Sequence, residues 1–162
     1  MNLSEEQRIK ARSLGLCDEH YSGWNLKWTP ADLAKYYLDN PDWCMERHFP
    51  SLEDLKANLN GDSFRALGVF VDASATARAT LPRYVFVKSY IGMLVGNVTR
   101  MYLSEGSKAK IIVENGGFLI VDYYDDCEID IETRGSGKCI INQHGTIDPK
   151  VKGAHIKIRK KK

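Results

Sequence analysis

Two hydrophobic periods divide the chain. Through residues 1–60 apolar positions fall three and four apart, the spacing of one helix face. From about Leu67 onward they alternate with polar positions or form short apolar runs, the spacing of strands. Four helices are expected in the front part. "SEEQRIKARSLG" opens on Ser4 with Gln7 three residues on and stops at Gly15, a capping box closed by a glycine. "TPADLAKYYLDN" has Thr29 as cap and Pro30 in its first turn, with Leu33, Tyr36 and Tyr37 on one face. "NPDWCMERHF" gives a third short helix. "PSLEDLKANLNG" gives a fourth, from Ser51 to Gly61, with Leu52, Leu55 and Leu59 as its apolar stripe. Helices this short do not stand alone, so their apolar faces, with Trp24, Trp28 and Trp43, need a surface to cover.

The rear part supplies that surface. The segments "GVFV", "YVFV", "RMYL", "KIIV", "FLIV", "EIDI", "KCII", "GTI" and "HIKI" are rich in β-branched and aromatic residues, and Gly, Asn or Asp punctuates most gaps. Ile111, Ile120, Ile129, Ile140, Ile147 and Ile156 are separated by 9, 9, 11, 7 and 9 residues, so a slip in one gap is made up in the next. Stacked coils must return to register and hairpins need not, which favours a β-solenoid. An antiparallel β-sandwich or barrel is the alternative, with "NGG" and "GSG" as hairpin turns. The expected fold is therefore mainly β with a helical N-terminus: residues 1–66 form a helical segment and residues 67–162 a repetitive β domain with a basic tail. The helices pack on the solenoid (a single-stranded β-helix) or cap one of its ends. In "CEIDIE", alternation turns Cys127, Ile129 and Ile131 inward and Glu128, Asp130 and Glu132 outward. "KIIV" and "FLIV" are apolar on both faces, so a cover over their outer side is expected, with the helices as the candidate.

Composition and charge refine this picture. The 162 residues are 43% hydrophobic and 27% charged, enough apolar content to bury a core. No apolar run approaches the roughly 18 residues of a membrane span. "MNLSEEQRIK" is polar and acidic where a secretory signal is basic and then apolar, so the expected location is cytoplasmic. Four dispersed cysteines fit reduced thiols better than a disulfide framework. The net charge of +2 is uneven: residues 1–65 hold 8 basic and 11 acidic groups, residues 66–162 hold 15 and 10. Seven of those 15 lie in "KVKGAHIKIRKKK", so the basicity belongs to a tail.

Three sets of residues carry candidate chemistry. Cys17, His20, Cys44 and His48 offer two thiolates and two imidazoles, a donor set suited to zinc; no other cofactor is expected. Asp122, Tyr123, Tyr124, Asp126, Glu128, Asp130 and Glu132 form an acidic, aromatic run that suits a cationic or hydroxyl-rich ligand, or a carboxylate pair of a carbohydrate-active enzyme. Lys157, Arg159, Lys160, Lys161 and Lys162 could touch phosphates, although one short tail on a nearly neutral chain argues against nucleic acid as the main partner.

The stretch "LCDEHYSGWNLKWTPADLAKYYLDNPDWCMERHFPSLEDLKANL", with Cys44, His48, Phe49, Pro50 and Ser51 in sequence, resembles the front of small uncharacterised bacterial proteins often found among prophage and mobile-element genes. In those a Trp-containing helical segment leads into a short-repeat β region. The resemblance implies this two-part organisation and transfers no activity. The expected function is a non-enzymatic scaffold or binding protein associated with a phage or mobile element, its solenoid presenting ladders of side chains to a protein or glycan. Self-association through exposed strand edges stays open. A hydrolase or lyase using the carboxylates, and a nucleic-acid accessory protein using the tail, are the alternatives.

Overall fold

The computed structural model describes residues 1–161. Six helices come first: α1 (Leu3–Ser13), α2 (Asp18–Ser22), α3 (Pro30–Asp39), α4 (Pro41–Arg47), α5 (Leu52–Asn58) and α6 (Asp62–Arg65). Eleven strands follow: β1 (Val69–Val71), β2 (Ser74–Arg78), β3 (Arg83–Val87), β4 (Tyr90–Val95), β5 (Val98–Ser104), β6 (Lys108–Val113), β7 (Phe118–Tyr123), β8 (Glu128–Thr133), β9 (Lys138–Gln143), β10 (Lys150–Lys152) and β11 (Ile156–Lys160). Odd strands form one sheet in the order β1-β3-β5-β7-β9-β11, here sheet A. Even strands form sheet B in the order β10-β8-β6-β4-β2. Every neighbouring pair is parallel. The chain thus winds forward as a two-sheet β-solenoid of about five turns.

The sequence repeat is a half-turn. Val98 pairs with Phe118 and Phe118 with Lys138, a full turn of 20 residues. Successive isoleucines of the nine-residue series therefore fall on opposite sheets and make no single column. Ile111 lies inside sheet B, in register with Ile131. Ile120 and Ile140 pair on the outer side of sheet A. Ile147 lies in the loop after β9, so "GTI" is not a strand and "KVK" is. The strands "SATAR" and "YIGMLV" went unread because small residues, and a glycine in the second, weaken their β signal.

The core lies between the sheets. Phe70, Phe86, Leu103 and Tyr123 stack in register from sheet A, and Met93, Ile111 and Ile131 from sheet B. The alternation read from "CEIDIE" holds: Cys127, Ile129 and Ile131 are buried and Asp130 is exposed. At one corner Ser89 and Ser107 replace apolar residues. The Ser89 hydroxyl has the carbonyls of Phe70 and Val87 within reach of its one proton, and the Ser107 hydroxyl those of Phe86 and Ser104, so a donor meets the backbone oxygens that these turns bury. At another corner Gly117 and Gly137 repeat one turn apart. A Cβ at either would run into the carbonyl oxygen of Val95 or Val113.

The helices lie on the outer side of sheet A over its first turns. Val69, Val71, Val85, Val87 and Tyr102 form one buried cluster with Leu16, Trp24, Tyr37, Met45, Phe49, Leu55 and Leu59. Phe49 meets Trp24, Tyr36 and Trp43 edge-on. Arg83 donates to the carbonyl of Leu38 at 2.6 Å, so a solenoid side chain closes the end of α3. Thr29 and Ser51 cap α3 and α5 as expected. The cap of α1 differs: Asn2 and Glu5 form the capping box. Ser4 is drawn into tertiary contacts instead, donating to the Asn25 carbonyl and accepting from the Trp24 indole. The expected cover over "KIIV" is also absent from its site. Ile112 stands half-buried on the outer side of sheet B, away from the helical cluster.

Candidate functional site

The outer side of sheet B carries its side chains in register. One column runs Ser74, Tyr90, Lys108, Glu128 and a second runs Thr76, Gly92, Lys110, Asp130, Lys150. Adjacent rungs are about 4.8 Å apart, so like-positioned side chains form ladders. Lys108 binds Glu128 at 3.0 Å and stands 6.0 Å from the centre of the Tyr90 ring. The hydrogen bond that Lys108 donates to Glu128 holds the ammonium pKa above its ordinary value. In the second column Gly92 removes one side chain between Thr76 and Lys110. The result is a notch beside Tyr90, which is 57% exposed. A groove of about 660 Å³ follows these columns, lined among others by Thr76, Tyr90, Gly92, Lys110, Asp130 and Lys150. Among the described residues, Lys110, Asp130 and Lys150 close no ion pair within 4.0 Å. Ile147 and Asp148 also line the groove. Their loop is tied down from the core: the Tyr123 hydroxyl donates to the Ile147 carbonyl at 2.6 Å, and Gln143 donates to Asp148 at 3.0 Å.

A second polar region lies on sheet A, at the margin of the helical cover. Asp122 accepts from Arg100 at 3.1 and 3.2 Å and pairs with His144 Nε2 at 3.0 Å. Burial pushes the Asp122 carboxyl up, but His144, Arg100 and Asn142 together outweigh this and hold it below the usual carboxylate range. Tyr124 stacks on the His144 ring at 4.2 Å and donates to Asp42 of α4 at 2.5 Å. At the adjoining corner His48, the left-handed cap of α4, sits between two carboxylates. Its Nδ1 is 2.7 Å from Glu105 and its Nε2 3.6 Å from Asp125. The Glu105 hydrogen bond raises the His48 pKa above its ordinary value. These groups fasten α4 to turns of the solenoid. Asp122 is ion-paired and its pKa depressed, the opposite of what a general acid requires.

The structure distributes the sequence-derived candidates widely. The acidic run wraps half a turn: Asp122 and Tyr124 face the seam under α4, Tyr123 points into the core, Asp126 sits exposed at a corner, and Glu128, Asp130 and Glu132 face out from sheet B. Only the last three share a face. The Cys–His set does not converge. Cys17 and His20 are exposed on and before α2, Cys44 is fully buried in α4, and the ring of His48 is given to Glu105 and Asp125. Burial pushes the Cys44 thiol up. Two groups of ligand-type atoms do come together among the described residues, Asp42–Asp122–His144 and His48–Glu105–Asp125, and neither contains a cysteine. Cys17, His20, Cys44 and His48 are thus not gathered at one point among the described residues. In the basic tail Lys157 and Arg159 occupy outward positions of β11, Lys160 lies 3.4 Å from Asp148, and Lys161 donates its amide to Gln143. Lys162 lies outside the described residues.

Tyr90 is one of several tyrosines that the β region offers for stacking on sugars, but sequence reasoning missed Gly92, Lys108, Lys110 and Lys150 beside it. The signal was present at the full-turn period: Lys108 and Glu128, like Lys110 and Asp130, are 20 residues apart. No protein-family model, curated protein or solved structure matches the chain. No helix among the described residues is long and apolar enough to cross a membrane.

Proposed function

We propose that this chain is a non-enzymatic binding protein whose sheet B face holds an extended glycan. The observation that carries this reading is the bare ladder itself. An exposed tyrosine borders a one-residue notch at Gly92, and nearby stand Lys110, Asp130 and Lys150, which close no ion pair among the described residues. A sugar ring presents an apolar face that stacks on an aromatic side chain and a hydroxyl rim that needs both donors and acceptors. Lysine and aspartate in alternate rungs supply both. A regular spacing of about 4.8 Å suits a polymer of repeating units better than a compact metabolite. A setting in a phage or mobile element, which the resemblance of the front half implies, is part of the same proposal.

Titration calorimetry with neutral and uronic-acid oligosaccharides tests the reading. At least one oligosaccharide binds, and Tyr90→Ala weakens it about fivefold, the loss of roughly 1 kcal/mol of stacking. Filling the notch with Gly92→Phe removes binding. A panel without a single binder, or binding indifferent to both substitutions, overturns the assignment.

A further inference from the structure

On sheet A the two ends of the solenoid are finished differently, while on sheet B the inward Ala77 of the end strand β2 is exposed. At the first turn α6 packs against β1, and Phe70 and Ala73 are 8% and 4% exposed. At the last turn the inward side chains Val151 and Ile158 are 44% and 42% exposed, whereas their register partners Ile131 and Ile141 are fully buried. Among the described residues strands β10 and β11 each end a sheet and pair on one side. The free edge of β11 follows from its ladder. The His155 carbonyl accepts from Cys139 and the Lys161 amide donates to Gln143, so odd-numbered residues turn their backbone groups toward β9. Ile156, Ile158 and Lys160 therefore turn theirs to the open side.

The chain itself shows what fits beside such a strand. On sheet B, β8 reads Glu-Ile-Asp-Ile-Glu and lies between two lysine strands. Lys108 and Lys110 of β6 face Glu128 and Asp130 from one side, and Lys150 and Lys152 of β10 face Asp130 and Glu132 from the other. Two of these contacts close as ion pairs, Lys108–Glu128 at 3.0 Å and Lys152–Glu132 at 3.7 Å. Strand β11 repeats the lysine half of this pattern, with Ile156 and Ile158 inward and Lys157 and Arg159 outward. An edge of this charge repels a second copy of itself and favours a strand with acids outward and apolar residues inward. We propose that the open last turn is a docking edge for an acidic, alternately apolar strand of another protein, which adds to β11 by backbone hydrogen bonding.

The probe is a fluorescent, end-capped peptide with the β8 sequence EIDIET, titrated against the full chain by anisotropy at low salt. A KIKIKT peptide is the control. The acidic peptide binds saturably, the lysine peptide does not, and the protein alone sediments as a monomer. Ile158→Pro removes an amide that faces the open edge and costs no bond to β9, so it lowers affinity at least tenfold. The double charge reversal Lys157→Glu with Arg159→Glu leaves the backbone intact, weakens the acidic peptide to a similar degree and admits the lysine peptide. The proposal fails if the acidic peptide does not bind, if both peptides bind alike, if both variants retain wild-type affinity, or if the protein alone pairs through this end. None of these outcomes depends on whether the sheet B groove binds a glycan.

Discussion

On sheet A the outward positions of the first turns are Val69, Val71, Val85 and Val87, all buried beneath the helices. On sheet B the outward positions of the same turns include Ser74, Thr76, Arg78 and Tyr90, all exposed, with Gly92 and Leu94 half-buried. The two faces belong to the same coils and have the same parallel pairing, so the backbone does not distinguish them. Their side chains differ because one face is covered and the other is not. The four outward valines of β1 and β3 lie under that cover, whereas Val98 at the start of β5, outward on the same sheet but beyond it, is 68% exposed. Lysine and aspartate in alternate rungs report a face left to water or to a ligand. The margin between the two conditions is also visible on sheet A. The column Val85–Tyr102–Asp122–Asn142–Arg159 passes from fully buried valine to exposed arginine as the helices end. Asp122 stands at that boundary, where a carboxylate is acceptable only because Arg100 and His144 answer it.

The largest expected effect breaks the cover. Phe49→Ala removes a ring that is 1% exposed where the helices meet, and should cost about 3–5 kcal/mol in a denaturant melt. Next is the contrast between inner and last turns. Ile141 and Ile158 are register neighbours, so Ile141→Ala should cost about 2–5 kcal/mol while Ile158→Ala costs less than about 1 kcal/mol. Equal losses would mean that the last turn is covered in solution. At the margin, Asp122→Asn should cost about 1–3 kcal/mol by leaving Arg100 and His144 without their anion. The Asp122 carboxyl is held low in the folded state, so its contribution is present above the ordinary carboxylate value of about 3.9 and disappears as pH falls through the folded value. Melts below about pH 4 should therefore separate wild type from variant less than melts at pH 6 to 7.

His48 gives a smaller effect of opposite sign. Its folded pKa is raised, so its pairing with Glu105 stabilises the protein below about pH 6.5 and fades as pH rises through the folded value. His48→Ala should flatten the thermal midpoint across that interval, modestly, because the ring is half exposed to solvent. Smallest of all, Tyr90→Ala on the bare face should leave stability within about 0.5 kcal/mol of wild type.

Much of the architecture was legible in the sequence for physical reasons. Thr29-Pro30 and Ser51 fix helix starts through local hydrogen bonding. "CEIDIE" fixes its two faces because alternation is a property of any strand. The restored spacing of isoleucines pointed to stacked turns, although the repeat was a half-turn and the implied single column does not exist. What failed needed tertiary knowledge. Ser4 has a capping residue's chemistry, but Trp24 and Asn25 claim its hydroxyl. Cys44 and His48 have a ligand pair's spacing, but one turns into the helical core and the other toward Glu105. Gly92, Lys110 and Asp130 are brought into one column by windings of 18 and 20 residues, a period twice that of the repeat read from the isoleucines.

The central claim is that the covered face is structural and the bare face binds. Amide NMR spectra of the labelled protein, recorded with and without saturating oligosaccharide, test it most directly. Shifts confined to Thr76, Tyr90, Gly92, Lys110, Asp130 and Lys150 are the expected result. Shifts centred on Arg100, Asp122 and His144, with the sheet B resonances unmoved, would contradict it.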